Sequence, residues 1–359
     1  MLDPAAVDRF RRREASSGWV TVTRADSFEA MRSSTASMGE PAPEASTTRL
    51  LGAFGAVYVI WGSTYLAIRF AIETLPPLLM ASARFLLAGG LLYVWARSRG
   101  APRPTLPQWR AAAVVGGLLF VGGNGAVVVS EQWVPSGLVA LLVACVPLWM
   151  VVVDWLWGSR VRPSGRVVGG LLLGFGGVAF LAGSPGAGAG GAQELLGAVL
   201  VVVGSLAWAM GSVYARQAEM PPRPRLWVGM QMLAGGVLLL PLSLATGDLG
   251  RLDPGAISLK SVLALAYLVV FGALVAFSAY IWLLGVSTPA RVGTYAYVNP
   301  VVALLLGWIL ADEPLSFRSV VAAAIIVGAV VVITTGGAPA RREGRRGDWP
   351  PLSPQVGER

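Results

Sequence analysis

"VGTYAYVNPVVALLLGWILA" (292–311) runs for twenty residues without a charge. As a helix rising ~1.5 Å per residue it reaches about 30 Å, the thickness of a bilayer's hydrocarbon core. Near its start stand Tyr295, Tyr297, Asn299 and Pro300. A helix that touches only lipid has no use for an amide, because an unpaired polar group is costly there. The segment therefore reads as a membrane helix with one face turned to protein or to a solute.

Similar runs recur along the chain. Of its 359 residues 55% are hydrophobic and 13% charged, about half the charge usual in soluble proteins. The expected class is an all-α polytopic membrane protein. Ten candidate transmembrane helices fall at 50–71, 77–97, 110–131, 136–157, 165–183, 194–215, 225–245, 261–284, 289–311 and 317–336. The polar segments 1–48 and 338–359 read as disordered tails, and no apolar run follows "RFRRREASS" (9–17) to make a signal peptide.

Several chemistries are excluded at this stage. Histidine is absent and Cys145 is the single cysteine, which rules out an internal disulfide and a Cys/His metal site. No phosphate-binding "GxxxxGK[ST]" and no hydrolase serine motif occurs, so neither an enzyme nor an ATP-driven pump is expected. The net charge of +9 resides in loops and tails, which suits the positive-inside rule and not nucleic-acid binding.

Those basic residues orient the chain. Arg97, Arg99 and Arg103 follow helix 2, Arg160 and Arg162 follow helix 4, and Arg216 and Arg223 follow helix 6. The loops after helices 1, 3 and 5 carry none, so both termini are expected in the cytoplasm. Arg251 and Lys260, after helix 7, run against the pattern.

The chain also echoes itself. "GSTY" (62–65) returns as "GSVY" (211–214), "LLGA" opens helices 1 and 6, and helices 4 and 9 carry the central prolines Pro147 and Pro300. Five helices per half makes the second copy inverted. In keeping with that, Arg160 stands thirteen residues after Pro147, and Glu313 thirteen after Pro300. The expected organisation is a first repeat over 49–183, a linker over 184–193 and a second repeat over 194–337.

The stretches "WGSTYLAIRFAIETLPPLLMASARF" (61–85), "GNGAVVVSEQWVPSGLVALLVACVPLW" (123–149), "GSLAWAMGSVYA" (204–215) and "TYAYVNPVVALLLG" (294–307) together resemble EamA-type transporters of the drug/metabolite transporter superfamily, close to the YedA-like group. The resemblance implies two inverted five-helix repeats, a central cavity, no cofactor and export of small organic solutes. Many members carry an acidic residue after helix 4, where this chain has Arg160.

Candidate site residues follow from the cost of polar groups in the membrane. Trp61, Tyr65 and Arg69 are spaced four apart on one face of helix 1. Trp61, Tyr65, Arg84, Asn124, Trp208, Tyr295, Tyr297 and Asn299 are the candidate substrate contacts. Asn124 serves equally as an interhelical hydrogen-bonding residue. Arg84 lies too deep to be free, and pairs with Glu131 or with a substrate carboxylate. Glu131 and Asp154 are candidates for carrying a coupling proton. The bland readings are that Asp154 sits at the inner interface and that Arg69 and Glu131 snorkel to the outer one. Pro147 and Pro300 are expected to kink their helices. Gly170 and Gly174 read as helix-packing glycines. The expected partners are a small-molecule substrate and the lipid bilayer, with a homodimer left open. A lipid-acting membrane enzyme and a non-transporting sensor are the alternative functions.

Overall fold

The computed structural model describes residues 46–182 except 159 and 161, together with 191–286 and 295–336. Among them the chain is helical and contains no strand. We number the helices α1 (Thr47–Ala71), α2 (Pro77–Ser98), α3 (Leu106–Ser130), α4 (Ser136–Leu156), α5 (Gly165–Ala182), α6 (Gly191–Ala215), α7 (Pro224–Ala245), α8 (259–286), α9 (Tyr295–Ala311) and α10 (Phe317–Gly336). Helices α1, α2, α3, α4, α6, α7 and α8 are long and apolar enough to cross a membrane. The described apolar parts of the others are shorter: Gly165–Phe180, Val298–Ala311 and Phe317–Ile333.

The outer surface confirms that the solvent of this bundle is lipid. Leu172 is 73% exposed and Phe317 85%, and large apolar side chains line much of the perimeter. So extended an apolar surface has no place on a soluble monomer.

Local sequence sets the helix ends. Thr105 caps α3 in a reciprocal box with Gln108, ahead of a proline in the first turn. Ser258 caps α8 by accepting from Ser261 N, 3.1 Å. Both α2 and α7 are 22 residues long and open on a proline in the first turn, where no donor is needed. Pro147 breaks α4 as expected: Ser136–Val143 ends and Val146–Leu156 restarts with Pro147 in its first turn. Helix α9 runs unbroken through Pro300.

Two helices carry irregularities that the sequence reading did not anticipate. In α3 the stretch Gly117–Gly125 is π-helical, and in α8 so is Leu268–Val275. Such wide turns displace carbonyls from their usual partners and cluster at functional sites.

Glycines set how closely the helices approach. Helix α2 lies along α7 at Gly89, Gly229 and Gly236, where any Cβ would fall 2.7–2.9 Å from the facing helix. Ser82 Oγ adds a bond to Gly236 O, 2.8 Å. Helix α5 packs on α10 in the same manner through Gly170 and Gly177, while Gly174 lies between Leu148 of α4 and Ala329 of α10, so the 170/174 pair serves helix packing, as its spacing suggested. The first piece of α4 packs on α9, and α6 on α3.

At one end of the bundle two carboxylates reach across to helix N-termini. Asp248, 2% exposed, follows α7 and accepts from Leu78 N (2.8 Å) and Leu79 N (3.1 Å) at the start of α2. Glu313 follows α9 and accepts from Ser136 N (2.8 Å) and Gly137 N (3.0 Å) at the start of α4. Each satisfies backbone donors that have no partner inside the helix, and each sets a negative charge against the positive end of the helix dipole. Asp312, in the left-handed region at φ 51°, turns the chain so that Glu313 can fold back over Gly307.

Candidate functional site

The two motifs singled out by sequence meet. Trp61 of α1 packs edge-on against Tyr295 of α9, with ring centroids 5.0 Å apart. Gly62 makes that approach possible, since a Cβ there would sit 2.6 Å from Val302 Cβ and 3.2 Å from Asn299 O. Asn299 is 7% exposed. With its amide oriented to face acceptors, its nitrogen donates to Tyr58 O of α1 and Tyr295 O of α9, 3.2 Å each. The carbonyl it meets in its own helix is thus that of Tyr295, and not the one freed by Pro300. Tyr297 lies on α9, but its side chain is outside the described set.

Helix α8 completes this cluster. Trp61 Nε1 donates to Gly272 O in the α8 π segment, 3.1 Å, which partners a buried indole N–H. Phe277 and Tyr280 surround the same indole at 5.8 and 5.2 Å. Ser63 shares a 2.6 Å hydrogen bond with Tyr267. Phe277, Tyr280, Tyr267 and Gly272 were missed by sequence reasoning. The i, i+3 spacing of Phe277 and Tyr280 within "AFSAY" (276–280) was the available signal.

Arg84 stands beside this cluster. It is 7% exposed, its Nε meets no acceptor, and a Cβ on Gly272 would lie 3.4 Å from its Nη2. Among the described residues it makes no ion pair within 4.0 Å, so the expected pairing with Glu131 is not formed. Tyr65 lies in the electrostatic reach of both Arg84 and Glu131. Glu131 does not snorkel: it is 0% exposed, and neither carboxyl oxygen meets a donor. The turn that ends α3 folds it inward beneath Arg69, whose guanidinium donates to the Glu131 backbone oxygen at 2.6 Å.

The remaining candidates lie elsewhere. Trp208 of α6 packs on the α3 π segment, where a Cβ on Gly123 would be 2.8 Å from its ring, and it meets Phe120 edge-on. Asn124 is neither interhelical nor free: its amide donates to Leu119 O, five residues back, a carbonyl that the π turn exposes. Asp154 forms a partly exposed ion pair with Arg216, 2.7 Å, at the opposite end from Glu131.

Two shallow recesses flank the cluster. One of about 230 Å³ is lined by Arg69, Gln132–Pro135 and Ala311–Pro314. The other, about 190 Å³, is lined by Arg49, Ala53 and Trp282. Both are smaller than the ~300–1,000 Å³ of typical ligand pockets.

Comparison with known proteins places the chain. The family model of the EamA-like transporter family matches it twice, over residues 50–183 and 195–335. The chain belongs to the EamA-like transporter family. It is 42% identical over 273 residues to the uncharacterized inner membrane transporter YedA of Escherichia coli K12, spanning 74% of this chain and 84% of that one. It is 29% identical over 273 residues to the uncharacterized transporter YvbV of Bacillus subtilis, spanning 75% and 85%. A solved crystal structure superposes with a TM-score of 0.54 at 22% identity, covering 81% of this chain and 98% of its own, a likeness of fold alone. With its apolar spans, this EamA-family chain is a multi-pass membrane transporter.

Proposed function

We propose that this protein is a secondary transporter of the inner membrane that exports small organic solutes by alternating access. Amino acids, related metabolites and drug-like compounds are the substrate classes that an aromatic-lined site with one cation suits. The observation that carries the reading is the meeting of Trp61, Tyr280, Tyr295 and Asn299 from three helices beside the unpaired Arg84. The aromatics offer faces to an apolar or aromatic solute, and Arg84 offers charge to a carboxylate.

Ten membrane helices in two inverted repeats are the framework in which this site works. The double family match supports that reading. So do the packing pairs α2–α7, α4–α9 and α5–α10, and the π segments in α3 and α8. In this framework both termini are cytoplasmic, the carboxylate-capped end faces outward, and the small recesses belong to a closed conformation. The inner membrane is the location in the name of the YedA relative.

A thermal-shift screen of purified protein against metabolite and drug libraries tests the proposal. A solute at a hundred times its Kd stabilises the native state by about 2.7 kcal/mol. We expect hits whose shift is lost in Trp61→Ala, and efflux of those hits from vesicles. A library without hits, together with lipid conversion by the purified protein, would overturn it in favour of a membrane enzyme.

A further inference from the structure

Where α2 ends and α7 begins, arginines gather without an acid. Arg225 lays its guanidinium over the Trp95 ring, with Cζ 4.8 Å from the centroid, and Arg99 reaches the same ring at 5.8 Å. Arg223 donates to Arg99 O, 2.7 Å, which ties the turn before α7 to the end of α2. Arg97 donates to Ala101 O, and Arg103 lies exposed in the same loop. Among the described residues none of these five arginines forms an ion pair, whereas Arg216, Arg251 and Lys260 each have a carboxylate within 4.0 Å. Glu219, the acid between α6 and α7, pairs with none of them. The indole face attracts each cation laid on it, but it brings no negative charge to offset their mutual repulsion.

The patch continues into the lipid. Leu87, Leu91 and Val94 stand four and three residues apart on one face of α2, next to Trp95, and all four side chains are exposed. From Trp95 to Leu87 this apolar stripe runs about 12 Å along the helix, most of the thickness of one leaflet's hydrocarbon. Trp95 lies in the last turn of α2, the level at which an indole meets lipid headgroups. A soluble anion would use the arginines and leave the stripe idle, whereas a phospholipid uses both. The headgroup is selected too. Phosphatidylethanolamine carries an ammonium that Arg97 and Arg103 repel, and an anionic phospholipid carries none.

We propose that the junction of α2 and α7 is a binding site for an anionic phospholipid. Its phosphate sits between the guanidiniums of Arg99 and Arg225, whose planar forks suit phosphate oxygens, and one acyl chain lies along Trp95, Val94, Leu91 and Leu87. The inference is independent of what the protein transports. Helix α2 falls in the first family match and α7 in the second. A lipid held here therefore fastens the two halves to each other, at the end of α2 opposite its contact with Asp248.

Native mass spectrometry of the purified full chain tests this, with phosphatidylglycerol and phosphatidylethanolamine of matched acyl chains as the probes. We expect the first phosphatidylglycerol to bind about thirtyfold more tightly than phosphatidylethanolamine. The double variant Arg99→Gln, Arg225→Gln should bind the two alike. Arg110→Gln, which removes an exposed cation near the start of α3 at the same end of the bundle, should retain the preference. Equal affinities in the wild type, or a preference that survives the double variant, overturn the proposal. A loss in Arg110→Gln as large as in the double variant overturns it as well, because general surface charge then explains the binding. Glycerol 3-phosphate should leave bound phosphatidylglycerol in place, and displacement would assign the patch to a soluble phosphate instead. A second measurement needs only the wild type. Phosphatidylglycerol with a photoreactive diazirine high in one acyl chain should label peptides around Trp95 and Arg225. Label spread evenly over the lipid-facing helices overturns the site even if the double variant fails to fold.

Discussion

Asn299 makes two hydrogen bonds that a leucine of similar volume cannot make. Asn299→Leu leaves Tyr58 O and Tyr295 O without that donor in a buried setting, at about 1–3 kcal/mol for such a loss. We expect a lower melting temperature and a tenfold to hundredfold fall in transport at matched expression. Tyr295→Phe retains the ring against Trp61 and Tyr280, so it should reduce transport modestly or alter solute preference. Parent-like transport by both variants would reduce the motif to packing. The polar groups of 292–311 were legible in the sequence because their cost in lipid advertises them. Their partners Tyr58, Phe277 and Tyr280 were not, because an aromatic residue in an apolar run does not announce which way it faces. Of the readings open for Glu131, snorkelling to the interface is the one its burial removes: distance from a helix end says nothing of whether the following turn folds inward.

Glycines decide how α1 meets its neighbours, and α1 supplies its own control. A Cβ on Gly62 meets packed atoms of α9, whereas one on Gly55 meets nothing within 4 Å. Gly62→Ala should therefore force α1 and α9 apart, cost about 1–3 kcal/mol through overpacking, and weaken the Asn299 bonds. Gly55→Ala should be neutral or stabilising by up to about 1 kcal/mol, through helix propensity alone. Thermal unfolding of the two variants in detergent separates the outcomes, and equal melting temperatures would refute the close contact. Helix positions were readable to within a few residues because apolar runs and prolines mark them. The π segments were not, since the extra residue in such a turn leaves the hydrophobic pattern almost unchanged. Hence the partner that Asn124 meets five residues back in its own helix was not among the readings its sequence offered, an interhelical bond or a substrate contact.

Across the whole molecule, orientation is the property most open to direct test. Cys145 is buried, so an introduced cysteine can be read against a low background. A cysteine at exposed Asp312 should react with an impermeant maleimide from outside, and one at exposed Arg160 only after the membrane is opened. Equal labelling would defeat the inverted arrangement. The charges that predicted this arrangement were plain in the sequence, but the task of Glu313 was not, because its cap on α4 joins residues 176 and 177 positions apart. That cap and the one made by Asp248 join distant parts of the sequence at one end of the bundle. Both come from the second half and grip helices of the first. Helix α7, which opens on a proline as α2 does, has no side-chain cap, and Arg223 before it donates to Arg99 O instead. The end that carries Asp248 and Glu313 is thus latched to helix starts far away in sequence, while the start of α7 is not, so the two ends differ in how firmly their helices are tied.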